Sequence, residues 1–421
     1  MRILIKNGYV VSMVSDIKKA DILIEDDRIK KIGIINEEAD KVIEASNMAV
    51  MPGIINAHTH LPMSIFRGYS DELELMNWLQ EMWKIEDKMK KDDVYYASMI
   101  SGLEMIKSGT TTFNDHYFFE EQIAKMAETL GMRAILSRCV IGEGEESTVR
   151  IREAEELYNE WHNKCNGRIK VCVGIHAPYT CPPDTIKKCL ELADRLGTPV
   201  HIHYLETRDE IDKVYNSYET TVTDYLRNQN VFNYHVILAH GVHVNEQDID
   251  VLKNISGGIV HNPVSNMKLG SGFAPVKALR DAGVNVALGT DGQGSTNTLD
   301  MFEEIKLAAY LQKGIYGSAS AISAKEVLEM ATIEGARVLG IDSEVGSLEV
   351  GKKADIILID LNKPHLMPRH DIYSLLAYSV NGADVETSII DGKIVMENRR
   401  VLNVNEADML QKVENVKNRL F

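Results

Sequence analysis

Two histidines separated by one residue, His58 and His60, end a short apolar stretch that begins near Val50. Side chains alternate faces along a strand, so both imidazoles point the same way at its carboxyl end. Two neutral imidazoles held at a fixed separation form half of a metal site. A lone His-x-His also occurs as polar surface, so the assignment depends on residues further along the chain.

Three more residues of ligand type follow apolar, strand-like runs. They are His203 after residues 200–202, His240 after residues 236–239 and Asp291 after residues 284–290. Together with the first pair, His203 and Asp291 supply three nitrogens and one carboxylate oxygen and leave a coordination position for water. That set predicts a catalytic rather than a structural metal site. A zinc ion there would lower the pKa of its water to about 7, so that a metal-bound hydroxide becomes available as the nucleophile.

Glu206 and His240 are candidates for handling protons beside this metal. Glu206 lies three residues after His203, which predicts a place in the loop above the metal, where a carboxyl could carry a proton to the substrate and then to a leaving amine. The alternative for Glu206 is an N-cap or surface acid. His240 could orient the water or serve as a fourth histidine ligand. The fourth predicted strand ends in His176, where a two-metal centre would need a bridging lysine, so the site is predicted to be mononuclear.

Alternating strand and helix patterns fill the middle of the chain. Strands are predicted at residues 50–57, 110–114, 133–138, 170–175, 200–202, 235–239, 258–261 and 285–288, with helical patterns between them. Repeated βα units imply a parallel sheet, and eight of them predict a TIM-like (β/α)8 barrel, which is an α/β fold. The active site of such a barrel lies at the carboxyl ends of its strands, where all the candidate ligands fall.

Both ends of the chain are instead rich in short β patterns. These patterns occupy residues 1–50 and return after residue 346, where Asp391-Gly392 is a good two-residue hairpin turn. They predict a small, discontinuous β-sandwich domain of residues 1–50 and 346–421. The catalytic barrel is then predicted to span residues 51–345.

The composition limits the partners of the protein. Its 421 residues include 62 acidic and 46 basic ones, for a formal net charge of −16. Scattered negative charge argues against nucleic acid and against an anionic membrane surface as partners. No apolar run approaches the ~18 residues of a membrane span, and the amino terminus lacks the pattern of a signal peptide. Five cysteines, none spaced Cys-x-x-Cys, predict free thiols in a reducing cytoplasm.

The motifs, in chain order, resemble those of the amidohydrolase superfamily. They are His58-Thr59-His60, His176-Ala177-Pro178-Tyr179, His203-x-x-Glu206-Thr207, Leu238-Ala239-His240, Asn262-Pro263-x-Ser265-Asn266-Met267-Lys268-Leu269 and Gly289-Thr290-Asp291-Gly292. Within that superfamily the chain looks like the S-adenosylhomocysteine/methylthioadenosine deaminases, a group that includes 5′-deoxyadenosine deaminases. The resemblance extends to about residue 400. It implies a metal-dependent barrel with a small β-sandwich, and hydrolytic loss of ammonia from C6 of an adenine nucleoside.

The resemblance also implies a role for each matching residue. It places one divalent metal ion per subunit, with zinc first and iron or manganese as alternatives, and puts proton transfer on Glu206 and contact with the bound water on His240. The implied metal ligands are His58, His60, His203 and Asp291, and Asp291 also aligns the nucleophile. A homo-oligomer, a dimer or tetramer, is the implied assembly.

The implied substrate contacts come from five further positions, with Glu206 as a sixth through N1 of the purine. Trp78 covers the nucleoside, Glu86 binds the ribose hydroxyls and His176 touches the substrate. Arg138 and Arg150 hold an amino-acid carboxylate on the 5′ substituent, and one of them could reach in from a neighbouring subunit. Without the resemblance, Trp78 is equally explained by core packing and the arginines by surface salt bridges.

Two other functions compete with this hypothesis. One is another mononuclear amidohydrolase, such as a guanine or cytosine deaminase or a triazine hydrolase. Trp78, Glu86 and the two arginines favour a ribosylated substrate, because a free base would leave them nothing to hold. The other is a metal-free barrel that serves as a scaffold, which would be expected to lack one or more of the ligands.

Overall fold

The computed structural model describes residues 1–73 and 75–421. Its strands are β1 (Arg2–Val10), β2 (Lys18–Glu25), β3 (Arg28–Gly33), β4 (Lys41–Glu44), β5 (Met48–Pro52), β6 (Ile54–Thr59), β7 (Thr110–Tyr117), β8 (Arg133–Val140), β9 (Ile169–Val171), β10 (Val173–Ile175), β11 (Val200–Tyr204), β12 (His235–His240), β13 (Ser256–His261), β14 (Val286–Leu288), β15 (Ile356–Asp360), β16 (Val385–Ile390), β17 (Lys393–Glu397) and β18 (Arg400–Val401).

Its helices connect and flank these strands. They are α1 (Leu75–Glu86), α2 (Lys91–Lys107), α3 (Glu120–Leu130), α4 (Gly144–Trp161), α5 (Lys164–Gly167), α6 (Pro183–Leu196), α7 (Arg208–Tyr218), α8 (Val222–Asn228), α9 (Glu246–Leu252), α10 (Pro263–Lys268), α11 (Val276–Asp281), α12 (Gln293–Thr296), α13 (Met301–Tyr316), α14 (Ala324–Met330), α15 (Ile333–Val338), α16 (Ile372–Tyr378) and α17 (Glu406–Leu420). Short 3₁₀ turns lie at Leu61–Phe66, Val231–Asn233, Pro364–Leu366 and Gly382–Asp384.

A parallel barrel occupies the middle of the chain, as predicted. Its strands follow the order β6-β7-β8-β10-β11-β12-β13-β14, with β9 paired to β8. A parallel bridge between Thr59 and Asp291 brings the end of the first strand to the segment after the last. The Asp291 amide also donates to the His58 carbonyl at 3.0 Å. The carboxyl ends of the first and last strands are therefore joined at the position of two candidate ligands.

Apolar side chains fill the opposite half of the barrel interior. Residues of β6, β8, β12, β13 and β14, with Cys172 between β9 and β10, pack against α15 and the loop that follows it. The cluster consists of Ile55, Ala57, Ile135, Cys172, Ile237, Val260, Ala287, Ala336, Val338, Leu339, Ile341 and Val345. The Ile55 amide donates to the Ala331 carbonyl at 2.9 Å, which places α15 at the start of β6. One end is thus sealed by hydrophobic packing, and the polar residues are confined to the other.

Strands from both chain ends build a second, mixed sheet. Its order is β18-β17-β16-β15-β5-β1-β2-β3, and β4 pairs with β1. Alternate residues of these strands, including Ile3, Ile22, Val50, Ile356 and Ile389, form its buried core. A separate β unit made from both termini is therefore present, as predicted. The limits at residues 50 and 346 remain predictions.

The prediction of one strand over residues 50–57 is wrong, because two strands of different sheets share that stretch. β5 ends at Pro52 in the mixed sheet, and β6 begins at Ile54 in the barrel. Gly53 lies between them, and a Cβ there would sit 2.0 Å from Thr111 Oγ1. The chain can cross from sheet to sheet at this point only because glycine has no side chain. The single strand predicted over residues 170–175 is likewise divided, into β9 and β10.

The last fifteen residues or so depart from the β-rich pattern predicted for this end. α17 packs against α2 of the barrel, where Lys107 Nζ lies 2.7 Å from Glu406 Oε2 and Arg419 forms an ion pair with Asp93.

Among the helices of the described ranges, none is long and apolar enough to cross a membrane.

Candidate metal centre and adjoining cleft

The five histidine and aspartate positions singled out above converge at one end of the barrel. His58 is in β6 and His203 in β11, His240 ends β12, and His60 and Asp291 follow β6 and β14. Two overlapping groups, His58–His60–His203 and His58–His240–Asp291, each have their ligand atoms within 4.8 Å of one another. Residues up to 233 positions apart therefore surround one small volume.

Backbone carbonyls fix the tautomers of two of these imidazoles. His60 Nδ1 lies 2.6 Å from the carbonyl oxygen of His116, and His203 Nδ1 lies 2.6 Å from that of His176. A carbonyl only accepts a hydrogen bond, so each Nδ1 carries the proton and donates it. Each Nε2 then keeps a lone pair for the interior of the cluster, which is the arrangement of a metal-binding histidine.

The carboxylate of Asp291 is oriented by two hydroxyls. Ser265 Oγ and Ser295 Oγ donate to its Oδ2 at 2.6 and 2.8 Å. Its Oδ1 faces the imidazoles, 3.1 Å from His60 Nε2 and 3.6 Å from His58 Nε2. Asp291 and His240 adopt left-handed backbone angles, with φ of 66° and 78°. Such strain costs roughly 1–3 kcal/mol per residue and is found where function requires an unusual direction.

The residues fit a divalent metal. His58 Nε2 is buried and makes no hydrogen bond within the described residues. Leaving a buried polar atom unpaired is costly, and a cation at this point would pair it. Burial lowers the pKa of His58 to about 3 and holds that of His203 well below its usual value, so both are neutral, as ligands must be. Three imidazole nitrogens with one carboxylate oxygen are a common donor set for zinc.

His240 and Glu206 face each other across the edge of this cluster. His240 Nδ1 lies 2.9 Å from Asn266 Oδ1, and His240 Nε2 lies 3.9 Å from Glu206 Oε2. Because His240 also shares a ligand group with His58 and Asp291, both roles considered for it are compatible with its position. Burial raises the pKa of Glu206, and the nearby Asp291 adds to that rise while His240 opposes it. Glu206 thus holds a proton more readily than an ordinary carboxyl.

A cavity of about 880 Å³ opens beside these groups. It is lined by the metal-centre residues His60, His203, His240 and Asp291 together with Glu206. The five positions implied as substrate contacts, Trp78, Glu86, Arg138, Arg150 and His176, line the same cavity. A cleft of this volume suits a ligand of nucleoside size or larger.

Comparison with known proteins agrees with this geometry. The Amidohydrolase family matches residues 49–395. The chain belongs to that family. A 5-methylthioadenosine/S-adenosylhomocysteine deaminase of Caldanaerobacter subterraneus subsp. tengcongensis is 47% identical over 98% of this chain and 97% of its own. A 5′-deoxyadenosine deaminase of Methanosarcina acetivorans is 45% identical over 97% and 96%.

A solved structure resembles this amidohydrolase closely as well. The adenosine deaminase of Xanthomonas campestris with bound zinc has a TM-score of 0.96 and 31% identity, covering 99% of this chain and 98% of that one. Family membership and this zinc-bound neighbour support a divalent metal in the barrel. The protein is a metal-dependent hydrolase of the deaminase type.

Three implied substrate contacts of the amidohydrolase have well-defined surroundings. Tyr117 Oη donates to Glu86 Oε1, and burial raises the pKa of Glu86 to about 7 against the opposing effect of that hydrogen bond. Trp78 is buried and packs close to Gly294, so it belongs to the core and to the cleft wall together. His176 Nδ1 lies 2.7 Å from Thr180 Oγ1, and burial lowers its pKa to about 4.

The two arginines line the cleft of their own chain. Arg138 Nε lies 2.8 Å from Glu153 Oε2, and Arg150 Nη2 lies 2.6 Å from Glu146 Oε1. The salt-bridge alternative for these residues is therefore also realised. The bridges differ from ordinary surface pairs because they face the cavity.

His201 belongs to this site, and the sequence analysis did not single it out. Its Nε2 lies 2.9 Å from His58 Nδ1, and its Nδ1 lies 3.2 Å from Ser137 Oγ. Because a metal would take Nε2 of His58, Nδ1 of His58 must carry the proton and donate it to His201. The sequence does contain a signal for His201. His201 and His203 have the same His-x-His spacing as His58 and His60, so both side chains lie on one face of β11, with His201 further from its carboxyl end.

Replacing His201 by phenylalanine is expected to lower metal affinity about 10- to 100-fold, because the buried Nδ1–H of His58 would lose its acceptor. His201→Gln keeps an acceptor near the same place and is expected to recover most of that loss. Metal content after dialysis against graded chelators measures the effect. His235→Gln, a strand histidine at the opposite end of the barrel, is the control, and equal metal retention in all three variants would contradict this role.

Proposed function

We propose that the protein hydrolyses the amino group from C6 of an adenine nucleoside, giving the inosine analogue and ammonia. The observation that carries the proposal is the Glu206 carboxyl, 3.9 Å from His240 in a cavity shared with two overlapping groups of histidines and Asp291. The cleft around them also contains an aromatic side chain and a buried carboxyl, Trp78 and Glu86, suited to a nucleoside. Full-length relatives named as deaminases of such nucleosides support the same reaction.

His58, His60, His203 and Asp291 would hold a divalent metal, which would supply an activated water at neutral pH. Glu206, protonated when substrate binds, donates a hydrogen bond to N1 of the purine and makes C6 more electrophilic. Asp291 and His240 orient the attacking water toward C6. As the C6–O bond forms, Glu206 gives its proton to N1 and takes one from the attacking water. As the C6–N bond breaks, Glu206 passes that proton to the amine, which leaves as ammonia, and it recovers the remaining hydroxyl proton as the C6 carbonyl forms.

A mixed nucleoside and base screen tests this function. We expect absorbance changes with adenosine, 5′-deoxyadenosine, 5′-methylthioadenosine or S-adenosylhomocysteine, and much smaller ones with guanine and cytosine. The opposite ranking would support the competing free-base deaminase. Trp78, Glu86 and the arginine pair favour the nucleosides, because a free base would leave them without a partner.

The remaining aspects of the proposal concern the metal, the assembly and the compartment. We favour zinc, with iron or manganese as alternatives, since imidazole and carboxylate ligands suit several ions. Metal content of the purified protein, and recovery of activity when each ion in turn is added back after chelation, would rank them.

We also propose a homo-oligomer, which light scattering would detect, and a cytoplasmic location, consistent with five free cysteines.

The ionisation of Glu86 is expected to appear in the pH profile. Below about pH 7 this buried carboxyl is protonated and loses an acceptor site for the ribose hydroxyls, so kcat/KM falls as the pH decreases through that value. Tyr117 and His60 favour the charged form and Asp87 opposes it. Glu86→Gln is expected to lower kcat/KM about tenfold or more and to remove this acid limb. Glu81→Gln, which is half-buried on the same helix and pairs with Lys84 outside the cleft, should keep it.

A further inference from the structure

Four charged side chains line the end of the cleft formed by β8 and α4. Arg138 is in β8, and Glu146, Arg150 and Glu153 are on α4. The shortest distances pair Arg138 with Glu153 at 2.8 Å and Arg150 with Glu146 at 2.6 Å. This set, here called the charge quartet, has no net charge. The reaction proposed above uses neither of its two glutamates.

The arginines of the charge quartet are held more firmly than its glutamates. Arg138 Nη1 donates to the Cys139 carbonyl at 2.5 Å, and Arg150 Nη1 donates to the Ile141 carbonyl at 2.8 Å. Their side chains are 13% and 24% exposed, whereas Glu153 and Glu146 are 42% and 62% exposed. The guanidinium groups are therefore fixed, and the carboxylates can turn toward a ligand without loss of packing.

This arrangement discriminates between kinds of substituent. A tail with only a carboxylate gains an arginine but displaces a glutamate into solvent, so one ion pair merely replaces another. A tail with only an ammonium group leaves an arginine unpaired. A zwitterionic tail satisfies both sides, because its carboxylate takes an arginine and its ammonium group takes the displaced glutamate.

We propose that Glu146 and Glu153 are specificity-determining residues that bind the ammonium group of a zwitterionic amino-acid substituent at the 5′ end of the nucleoside. The inference rests on the proposed function and concerns how this cleft recognises the amine of an amino-acid substituent. The arginines select the carboxylate of that amino acid, and the glutamates select its amine.

Four substrates separate the contributions. They are S-adenosylhomocysteine, its analogue without the α-amino group, its analogue without the carboxylate, and 5′-methylthioadenosine. We expect the wild-type protein to have a higher kcat/KM for the zwitterion than for either singly charged analogue, by about fivefold or more. A carboxylate-only analogue that equals the zwitterion would overturn the proposal.

Variants then assign the effect to the carboxylates. Glu146→Gln and Glu153→Gln should each lower the ratio of kcat/KM for S-adenosylhomocysteine to that for 5′-methylthioadenosine by about fivefold. Each should also raise the relative kcat/KM of the amine-free carboxylate analogue, because an arginine is released from its partner. A merely structural role for the glutamates would not reverse the preference in this way.

Glu156→Gln is the matched control. Glu156 pairs with Arg152 at 3.6 Å on the same helix, with the same four-residue spacing as Glu146 and Arg150, but both side chains are about two-thirds exposed and neither lines the cleft. The Glu156→Gln protein should have the wild-type ratio of kcat/KM for S-adenosylhomocysteine to kcat/KM for 5′-methylthioadenosine. Ratios unchanged in the Glu146 and Glu153 variants would overturn this inference while deamination of 5′-methylthioadenosine persists. Failure to deaminate any of the four substrates would instead reject the proposed function.

Discussion

Glu206→Gln is expected to retain its metal and lose about 10³- to 10⁴-fold in kcat. Glutamine can still donate a hydrogen bond to N1 of a purine, but it cannot release a proton and take one up again. Burial raises the pKa of Glu206, which favours the neutral acid that this exchange requires. Steady-state kinetics with metal analysis of the same sample measures both parts of the expectation.

A matched acid controls for the loss of charge in this segment. Asp209 lies three residues later, exposed at the start of α7, and Asp209→Asn should leave kcat close to the wild-type value. A Glu206→Gln protein that turns over normally would remove Glu206 from the proposed proton relay. One that loses its metal would instead indicate a ligand role that the present assignment does not include.

The convergence of the candidate metal ligands was accessible from the sequence because strand geometry is strictly periodic. His58 and His60 had to share a face, and ligand-type residues at the ends of several parallel strands had to meet at one end of a barrel. Asp291 was found for the same reason, although β14 ends three residues before it and the chain reaches it through a left-handed turn. Local patterns plus one topology rule were sufficient for these positions.

Contacts across the barrel were not accessible in this way. The His58–His201 hydrogen bond joins residues 143 positions apart, and the Tyr117–Glu86 hydrogen bond depends on where α1 lies over the strand ends. The division at Gly53 is similar, because the clash that requires glycine is with Thr111 on another strand. Pairing of each arginine with a glutamate also depends on how α4 lies against β8. Such features follow from packing between elements, which no local pattern encodes.

Asp291→Asn is expected to lower both metal affinity and kcat, the latter about 10³-fold. Asp291 must accept hydrogen bonds from Ser265 and Ser295 at Oδ2 while Oδ1 faces the imidazoles. An asparagine has one acceptor oxygen, so its amide nitrogen must point either at the two hydroxyls or at the metal position. Either orientation places a donor where a donor or a cation already lies. Loss of the negative charge adds to the effect, because no other carboxylate belongs to the two ligand groups.

Metal content and thermal unfolding distinguish this variant from Glu206→Gln. Asp291→Asn should bind substoichiometric metal and lose the stabilisation that added zinc gives the wild type, since a ligand stabilises a fold only in proportion to its affinity. Asp281→Asn, an exposed acid on α11, is the control and should match the wild type in both measurements. The double variant Ser265→Ala/Ser295→Ala should have a metal content and a zinc stabilisation between those of Asp291→Asn and the wild type, because its Asp291 carboxylate keeps its charge but loses its fixed direction. Full metal occupancy in Asp291→Asn would show that the histidines alone hold the ion, and would leave the left-handed turn at residue 291 without the purpose assigned to it.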